Sequence, residues 1–500
     1  MFKKLPILFL ITTASFGVGF ANQLLISNSF GTSSNLDSYW LILSAINFLG
    51  FYAFPLRDSV APIFYRELKH REEAIRLASA SVSLCFYIAI LELLVLFGLI
   101  FVFHAEILPH YLSESSEALK ILLWLLPALL LVAVVEMMAG LLLSLNLPVE
   151  QAICRFIAPC VTTLLLIFFA DKWGELALAV SFTAANFLIM LASIFFLYRS
   201  GITIRLASPK ALIRPGIKNM FIAMTLVYIF AQLHVLFERY VFLNFGPGII
   251  SGFQYAFMLV TTLIGLIAGP VCNLLWPYFM AINHSDPNNQ QEKVLDSLWV
   301  YLGFPLILLA IFVFNNAHSI IYFIFYRGEF GLQSVEISAS ALMFLIFALV
   351  PACLSQVVVR LLNAQNNFLG IGTIGISMAS TGILLLAISL LQHNLNLAMS
   401  QWLIANFVGA TICMITSYWH LGLRQFFSLG RIKLLIKLGV LMSLALLISP
   451  HVPVDPSKLI LGFDLAIAFT IYITPLALIL ILLNRSYFPF TISMVKGFFK

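Results

Sequence analysis

The sequence predicts an all-α polytopic membrane protein of about fourteen transmembrane helices, built as two pseudo-symmetric six-helix lobes with two further C-terminal helices. Three observations predict it. Of 500 residues, 62% are hydrophobic and 10% are charged, against roughly 45–50% and about 25% in a soluble domain. The apolar runs are long and do not alternate, which selects helices over the dyad pattern of a membrane barrel. The chain also matches itself at a shift of 215 positions, with Phe30 over Phe245, Gly31 over Gly246, Pro55 over Pro270 and Pro62 over Pro277.

A span needs about 20 largely apolar residues, and lipid tolerates no unpaired backbone groups. The runs that qualify lie near 5–27, 39–63, 80–104, 120–145, 149–170, 174–198, 219–243, 249–281, 295–317, 337–362, 369–391, 396–420, 433–450 and 461–484. The first, with Lys3 and Lys4 before an apolar core, also fits a cleaved signal peptide. The repeat argues against that, because the seventh span is its partner and lies inside the chain. A second echo sets Pro127-Ala with Glu136 nine positions on over Pro351-Ala with Arg360 nine positions on. The resulting domains are 1–198, an N-terminal lobe; 199–218, a basic connector; 219–420, a C-terminal lobe; and 421–500, two added helices and a tail.

Loop charge gives the orientation. Lys3, Lys4, Arg66, Lys69, Arg71, Arg76, Arg199, Arg205, Lys210, Arg214, Lys218, Lys293, Arg424, Arg431, Lys433, Lys437, Arg485, Lys496 and Lys500 fall on the side of the N-terminus, while the opposite loops hold Lys120, Lys172, Arg327 and Lys458. The positive-inside rule then makes both termini cytoplasmic. The net charge of +6 reflects that asymmetry and contact with anionic lipid, and gives no case for nucleic acid. Cys85, Cys154, Cys160, Cys272, Cys353 and Cys413 all fall within spans without C-x-x-C spacing, as small packing residues.

Counting about 1.5 Å per residue turns position into depth. Arg57 and Asp58, side by side in "AFPLRDSVAPIF", fall near the inner end of the second span, Glu136 in the inner half of the fourth, Arg155 within two turns of the inner face, and Arg360 at the same level. Asp37, Glu238 and Arg239 form an outer layer. The inner arginines suit an anionic head group, since a guanidinium offers a fixed fork of donors and keeps its charge when partly dehydrated. Structural ion pairs, and arginines snorkelling to the interface, are the competing readings. Glu92, in mid-span, is a candidate proton or cation site or a protonated structural acid. No nucleotide-binding glycine loop or metal-ligand spacing is present, so no cofactor is expected. The roughly 318–336 loop has room for a re-entrant or amphipathic piece and no more.

"IFYRGEFGLQSVEISASAL" (324–342) followed by "LVPACLSQVVVRLLNAQNN" (349–367) resembles the approach to the tenth helix of MurJ/MviN-type lipid II flippases, with its Phe-x-Arg-Gly-x-Phe element. "FGTSSNLDSYW" with Asp37, and "QLHVLFERYVFLNFGPGIISGFQYA" with Gln232, Gly248, Tyr255 and Ala256, resemble the same family. The resemblance implies the multidrug/oligosaccharidyl-lipid/polysaccharide flippase fold around a central cavity. It also implies a bacterial inner-membrane transporter rather than an enzyme, and a polyprenyl-diphosphate-linked glycan as cargo. Membrane lipids and proteins of glycan synthesis or polymerisation are its candidate partners. The chain departs from the family where an Arg-Asp pair falls at Asn22-Gln23, an arginine near Gly50, and an Asp-Arg pair at Phe257-Met258. The alternatives are an ion-coupled exporter of organic cations, a polytopic glycan-processing enzyme and a non-transporting scaffold.

Overall fold

The structure is a computed structural model that describes residues 5–103, 115–213, 215–282, 302–364, 368–421, 443 and 445–483. Among these the regular structure is helix, with no strand. The helices are α1 (Leu5–Phe30), α2 (Ser34–Leu49), α3 (Ala53–Glu67), α4 (Arg71–Phe103), α5 (Ser115–Ser144), α6 (Pro148–Trp173), α7 (Leu176–Arg199) and α8 (Pro215–Leu243). They continue as α9 (Ile249–Ile282), α10 (Phe304–Asn315), α11 (Ala317–Phe325), α12 (Leu332–Leu345), α13 (Leu349–Ala364), α14 (Phe368–Gln392), α15 (Leu395–Leu421) and α16 (Lys458–Leu483). Twelve candidate membrane spans result among the described residues, or up to thirteen if the bent pair α10–α11 is one span. The expected span near 433–450 falls mostly outside the described residues, as does the start of that near 295–317. The repeat has a structural counterpart, since the second span starts at Ser34 and α9 at Ile249, the same 215-residue shift.

Two spans are broken for one reason. Pro55 has no N–H to give the carbonyl of Phe51, and Pro351 none for that of Phe347. In each case the chain tightens into a 3₁₀ turn that starts five residues earlier, at Gly50–Tyr52 between α2 and α3 and at Ile346–Ala348 between α12 and α13. The Ala53 N–H turns to the Gly50 carbonyl as its partner. Such local tightening keeps backbone groups paired where no water is at hand.

The chain forms two compact units. The first comprises 1–251 and 327–331, and the second 252–326 and 332–500. In the first, α5 is the axis, packing against α2, α3, α4, α6 and α7. Its buried Ala133, Met137, Met138 and Leu141 face Leu56, Val60 and Phe64 of α3 and Leu77 and Cys85 of α4. By contact α8 belongs here too, against α2 and α3. After α7 the connector runs extended along α4. Ser79 Oγ accepts the Arg205 N–H at 3.2 Å and Ser83 Oγ the Ala207 N–H at 2.9 Å. The two hydroxyls donate in turn to the Thr203 and Arg205 carbonyls.

The Arg327–Gly331 turn docks on the C-terminal end of α1. The Glu329 N–H donates to the Asn28 carbonyl at 3.0 Å. A Cβ on Gly328 (φ +52°) would strike that carbonyl, and one on Gly31 (φ +55°) would strike the Glu329 carbonyl. The glycine of the Arg-Gly-x-Phe element thus has a backbone reason, a left-handed conformation together with a close approach.

In the second unit α10 and α11 meet at a bend of 78°, so the segment expected to be re-entrant or amphipathic begins as a helix. The bend is pinned by buried Asn316. Its Nδ2 donates to the Pro450 carbonyl at 2.9 Å and its Oδ1 accepts the Val452 N–H at 2.8 Å. Nearby, Ser319 donates to the Val452 carbonyl at 2.6 Å. The helices α14 and α15 pair closely, and α16 packs on α11, where Gly462 leaves room for the Phe323 ring.

Gly328→Ala should lower the stability of the purified protein by about 1–2 kcal/mol from the left-handed backbone alone, and by more from the collision. Gly331→Ala, which meets open space at an ordinary φ, should be close to neutral in the same thermal unfolding measurement.

Candidate functional site

Arg57 projects from the first two turns of α3, the piece of the second span that follows the 3₁₀ break. Its Nε donates to Asp58 Oδ1 and its Nη1 to Glu136 Oε2 of α5, each at 2.9 Å. Arg155 of α6 reaches the same Glu136 Oε2 at 3.5 Å. From α8, the Tyr228 hydroxyl donates to Asp58 Oδ2 at 2.8 Å. The Tyr228 ring stacks on Phe54 at 5.4 Å between centroids, and Phe54 lies 5.3 Å from the Arg57 guanidinium carbon. Two arginines, two carboxylates and a phenol therefore tie four helices together with no net charge.

The fit is local. The methylenes of Arg57 cross α5 at Gly140, where a Cβ would overlap them. Arg57 and Glu136 are about one-fifth exposed, whereas Arg155 is 56% exposed. One side of the network is therefore open and carries a guanidinium. In sequence, adjacent positions on a helix argue against an Arg57–Asp58 contact; the long arginine side chain makes it all the same. The fifth expected inner residue, Arg360, lies on α13 in the second unit, with its side chain outside the described residues.

The residues expected to form an outer layer also come together. Asp37 of α2 is 1% exposed and accepts the N–H of Gly248 at 2.5 Å and that of Ser251 at 2.7 Å. Those are the cap position and the third residue at the start of α9. One carboxylate from another helix thus satisfies two of the donors a helix start leaves open. Gly248 has φ +83°, and a Cβ there would press on the Thr32 carbonyl. Glu238 and Arg239, each 5% exposed, approach to 3.7 Å, and Arg239 interacts electrostatically with Asp37 as well. Two buried carboxylates face one arginine and a helix N-terminus worth about half a positive charge.

Glu92 stands apart in α4, half-buried, with Oε2 lacking a hydrogen bond among the described residues. Sequence reasoning missed three further groups. Asn22 Oδ1, Gln23 Oε1 and Trp40 Nε1 are buried without hydrogen bonds among the described residues. Asn22 and Gln23 stand where the resemblance placed a charged pair. The signal was an adjacent pair of amides inside an apolar span.

Glu136→Ala should cost roughly 3 kcal/mol of stability, as expected when one partner of a partly buried ion pair is removed. Combining it with Arg57→Met should recover part of that loss, and purely additive losses in the unfolding cycle would dissolve the pairing. Asp37→Ala should cost about 1 kcal/mol as a lost cap, and more for the unbalanced Arg239. Asp37→Asn, which keeps one acceptor oxygen, should lie between.

The sequence matches the family described as "MurJ: Lipid II flippase MurJ" over residues 26–458. No match is found among curated protein sequences. A solved structure titled "Lipid II flippase MurJ, inward closed conformation" superposes with a TM-score of 0.76 at 17% identity, covering 95% of this chain and 99% of that one. An inward-facing MATE-family multidrug resistance transporter of the MOP superfamily gives 0.63 at 14% identity, covering 84% and 99%. A MOP superfamily transporter from Pyrococcus furiosus gives 0.59 at 13% identity, covering 83% and 95%. At these identities the solved structures show a shared fold, and the family match carries the assignment: the chain belongs to the lipid II flippase MurJ family.

Proposed function

We propose that this transporter moves a polyprenyl-diphosphate-linked glycan, lipid II or a relative, from the inner to the outer leaflet of a bacterial inner membrane by alternating access. Both termini lie in the cytoplasm in this reading. The observation that carries it is the shared Glu136 carboxylate, with Arg57 and the exposed Arg155 on either side. Glu136 and Asp58 act as stand-ins that keep the guanidinium groups paired until a diphosphate competes for them. A diphosphate carries more charge and suits a fork of donors better than a single carboxylate oxygen does. Its arrival draws Arg57 away from Asp58 and leaves that carboxylate to the Tyr228 hydroxyl, so cargo capture shifts Asp58 from a pairing within α3 to one with α8. Arg360 is the contribution of the second lobe, 219–420, and Asp37, Glu238 and Arg239 form the outer gate. At the first helix, the unspent Asn22 and Gln23 carbonyls replace a charged pair, which favours hydroxyl and amide donors of a glycan there. The proteins of glycan synthesis or polymerisation are its candidate neighbours.

Losing a hydrogen bond to a charged group costs about 1.5–3 kcal/mol, or roughly a factor of ten or more in affinity. Arg155→Ala and Arg360→Ala should therefore slow head-group translocation in reconstituted vesicles by about that factor while the protein stays folded. Undiminished flipping by both variants removes Arg155 and Arg360 from cargo capture.

A second reading, an ion-coupled exporter of organic cations, is favoured by the buried, unpaired Glu92 Oε2. It predicts that Glu92→Gln abolishes dye efflux from everted vesicles, whereas the flippase reading predicts no efflux to abolish.

A further inference from the structure

We propose that the first unit holds a specific site for an anionic membrane phospholipid, with one acyl chain in a groove between α4, α5 and α7 and the phosphate on Arg205. The groove has a volume of about 670 Å³ and is lined almost wholly by hydrocarbon, including Phe86, Leu130, Leu131, Phe187, Met190 and Ile194. That volume is in the range of sites that bury small ligands. It follows α7 from Val180 to Ile194, or about 21 Å at the helical rise, longer than the roughly 15 Å of one leaflet's hydrocarbon.

The hydroxyl groups along the groove are already spent within the protein. Pro127 interrupts the hydrogen bonds of α5, and the Thr183 hydroxyl donates to the nearby Trp124 carbonyl at 2.7 Å. Ser83 is held by the connector, accepting the Ala207 N–H. Apart from the Trp124 indole, a polar ligand would therefore find few partners along the wall, whereas an acyl chain needs none.

The part of the lining contributed by the connector is different. It consists of Ile204, Arg205 and Leu206, on the side where the basic loops lie and the positive-inside rule places the cytoplasm. Of the cations on α4 nearby, Arg71 donates to the Gly201 carbonyl at 3.1 Å and Arg76 pairs with Glu73 at 3.9 Å. Arg205 is exposed, and its guanidinium has no hydrogen-bond or ion-pair partner among the described residues. Its backbone is meanwhile fixed, because its N–H and carbonyl are both bonded to serines of α4. A cation anchored at one end of an apolar slot matches a phosphate followed by a hydrocarbon chain, and basic groups near the membrane surface attract anionic lipid.

The test uses the full chain in phosphatidylcholine vesicles containing a minority of phosphatidylglycerol with a photoactivatable group on one acyl chain. Cross-links mapped by mass spectrometry should concentrate on peptides covering 124–138 and 180–194, well above those made by phosphatidylcholine carrying the same group. Ala184→Trp, which fills the groove, should lower that labelling several-fold. Arg205→Gln should leave groove labelling in place but erase the preference for phosphatidylglycerol. Labelling spread evenly over the membrane-facing helices overturns the proposal, as does equal labelling by the two lipids in the unmodified chain. Displacement by a polyprenyl phosphate but not by unlabelled phosphatidylglycerol also overturns it, assigning the groove to a cargo tail. These readouts do not depend on flipping, so they stand or fall apart from the proposed transport activity.

Discussion

One carboxylate oxygen, Glu136 Oε2, lies against two guanidinium groups, and the arrangement of the first unit follows from the need to keep it there. Charges in a weakly polar surrounding are costly alone and tolerable when paired. Pairing demands that α3, α5 and α6 meet at one depth, and Asp58 with Tyr228 brings α8 to the same place. The backbone concedes space for this. Gly140 lets the arginine stem cross α5 in contact, and the 3₁₀ turn before α3 starts a fresh helical register from which Arg57 projects.

The same economy governs the start of α9. The start of a helix presents donors that lipid cannot satisfy, and α9 meets this with a carboxylate borrowed from α2. That makes Asp37 structural as well as electrostatic, and it explains the glycine next to it. Gly248 supplies the left-handed turn that aims its N–H at the acid and lets the chain pass close to Thr32. Charge and backbone geometry are solved together here, so a change at either residue is felt at both.

Much of this was legible in the sequence. Composition and run length announced a helical membrane protein. Paired prolines at one shift announced the repeat, and charge in apolar runs picked out Arg57, Asp58, Glu136, Arg155 and the outer layer. The partners within those groups were less legible. Which carboxylate meets which arginine depends on helix rotation, and neither Tyr228 nor Gly140 stands out from the many aromatic and small residues of such a chain. The orphan carbonyls of Asn22 and Gln23 were visible as residues but not as unspent acceptors, because only packing decides whether an amide finds a partner. The domain boundary at 198 came from the repeat, whereas contact groups α8 with the first unit, a distinction that a linear pattern does not carry.

The serines that hold the connector have a metric consequence. Ser79 and Ser83 are four residues apart on a helix, a rise of about 6.0 Å. The amides they receive, on Arg205 and Ala207, are two residues apart in an extended segment, about 6.6 Å. Two rungs absorb a difference of roughly half an ångström, but it doubles at the third and keeps growing, as on a vernier scale. Helix and extended chain therefore fall further out of step as such a series lengthens, and the positions that would extend it, Ile75 and Tyr87, are not serine. The clasp is short by arithmetic, and it sets the connector's register to a single residue.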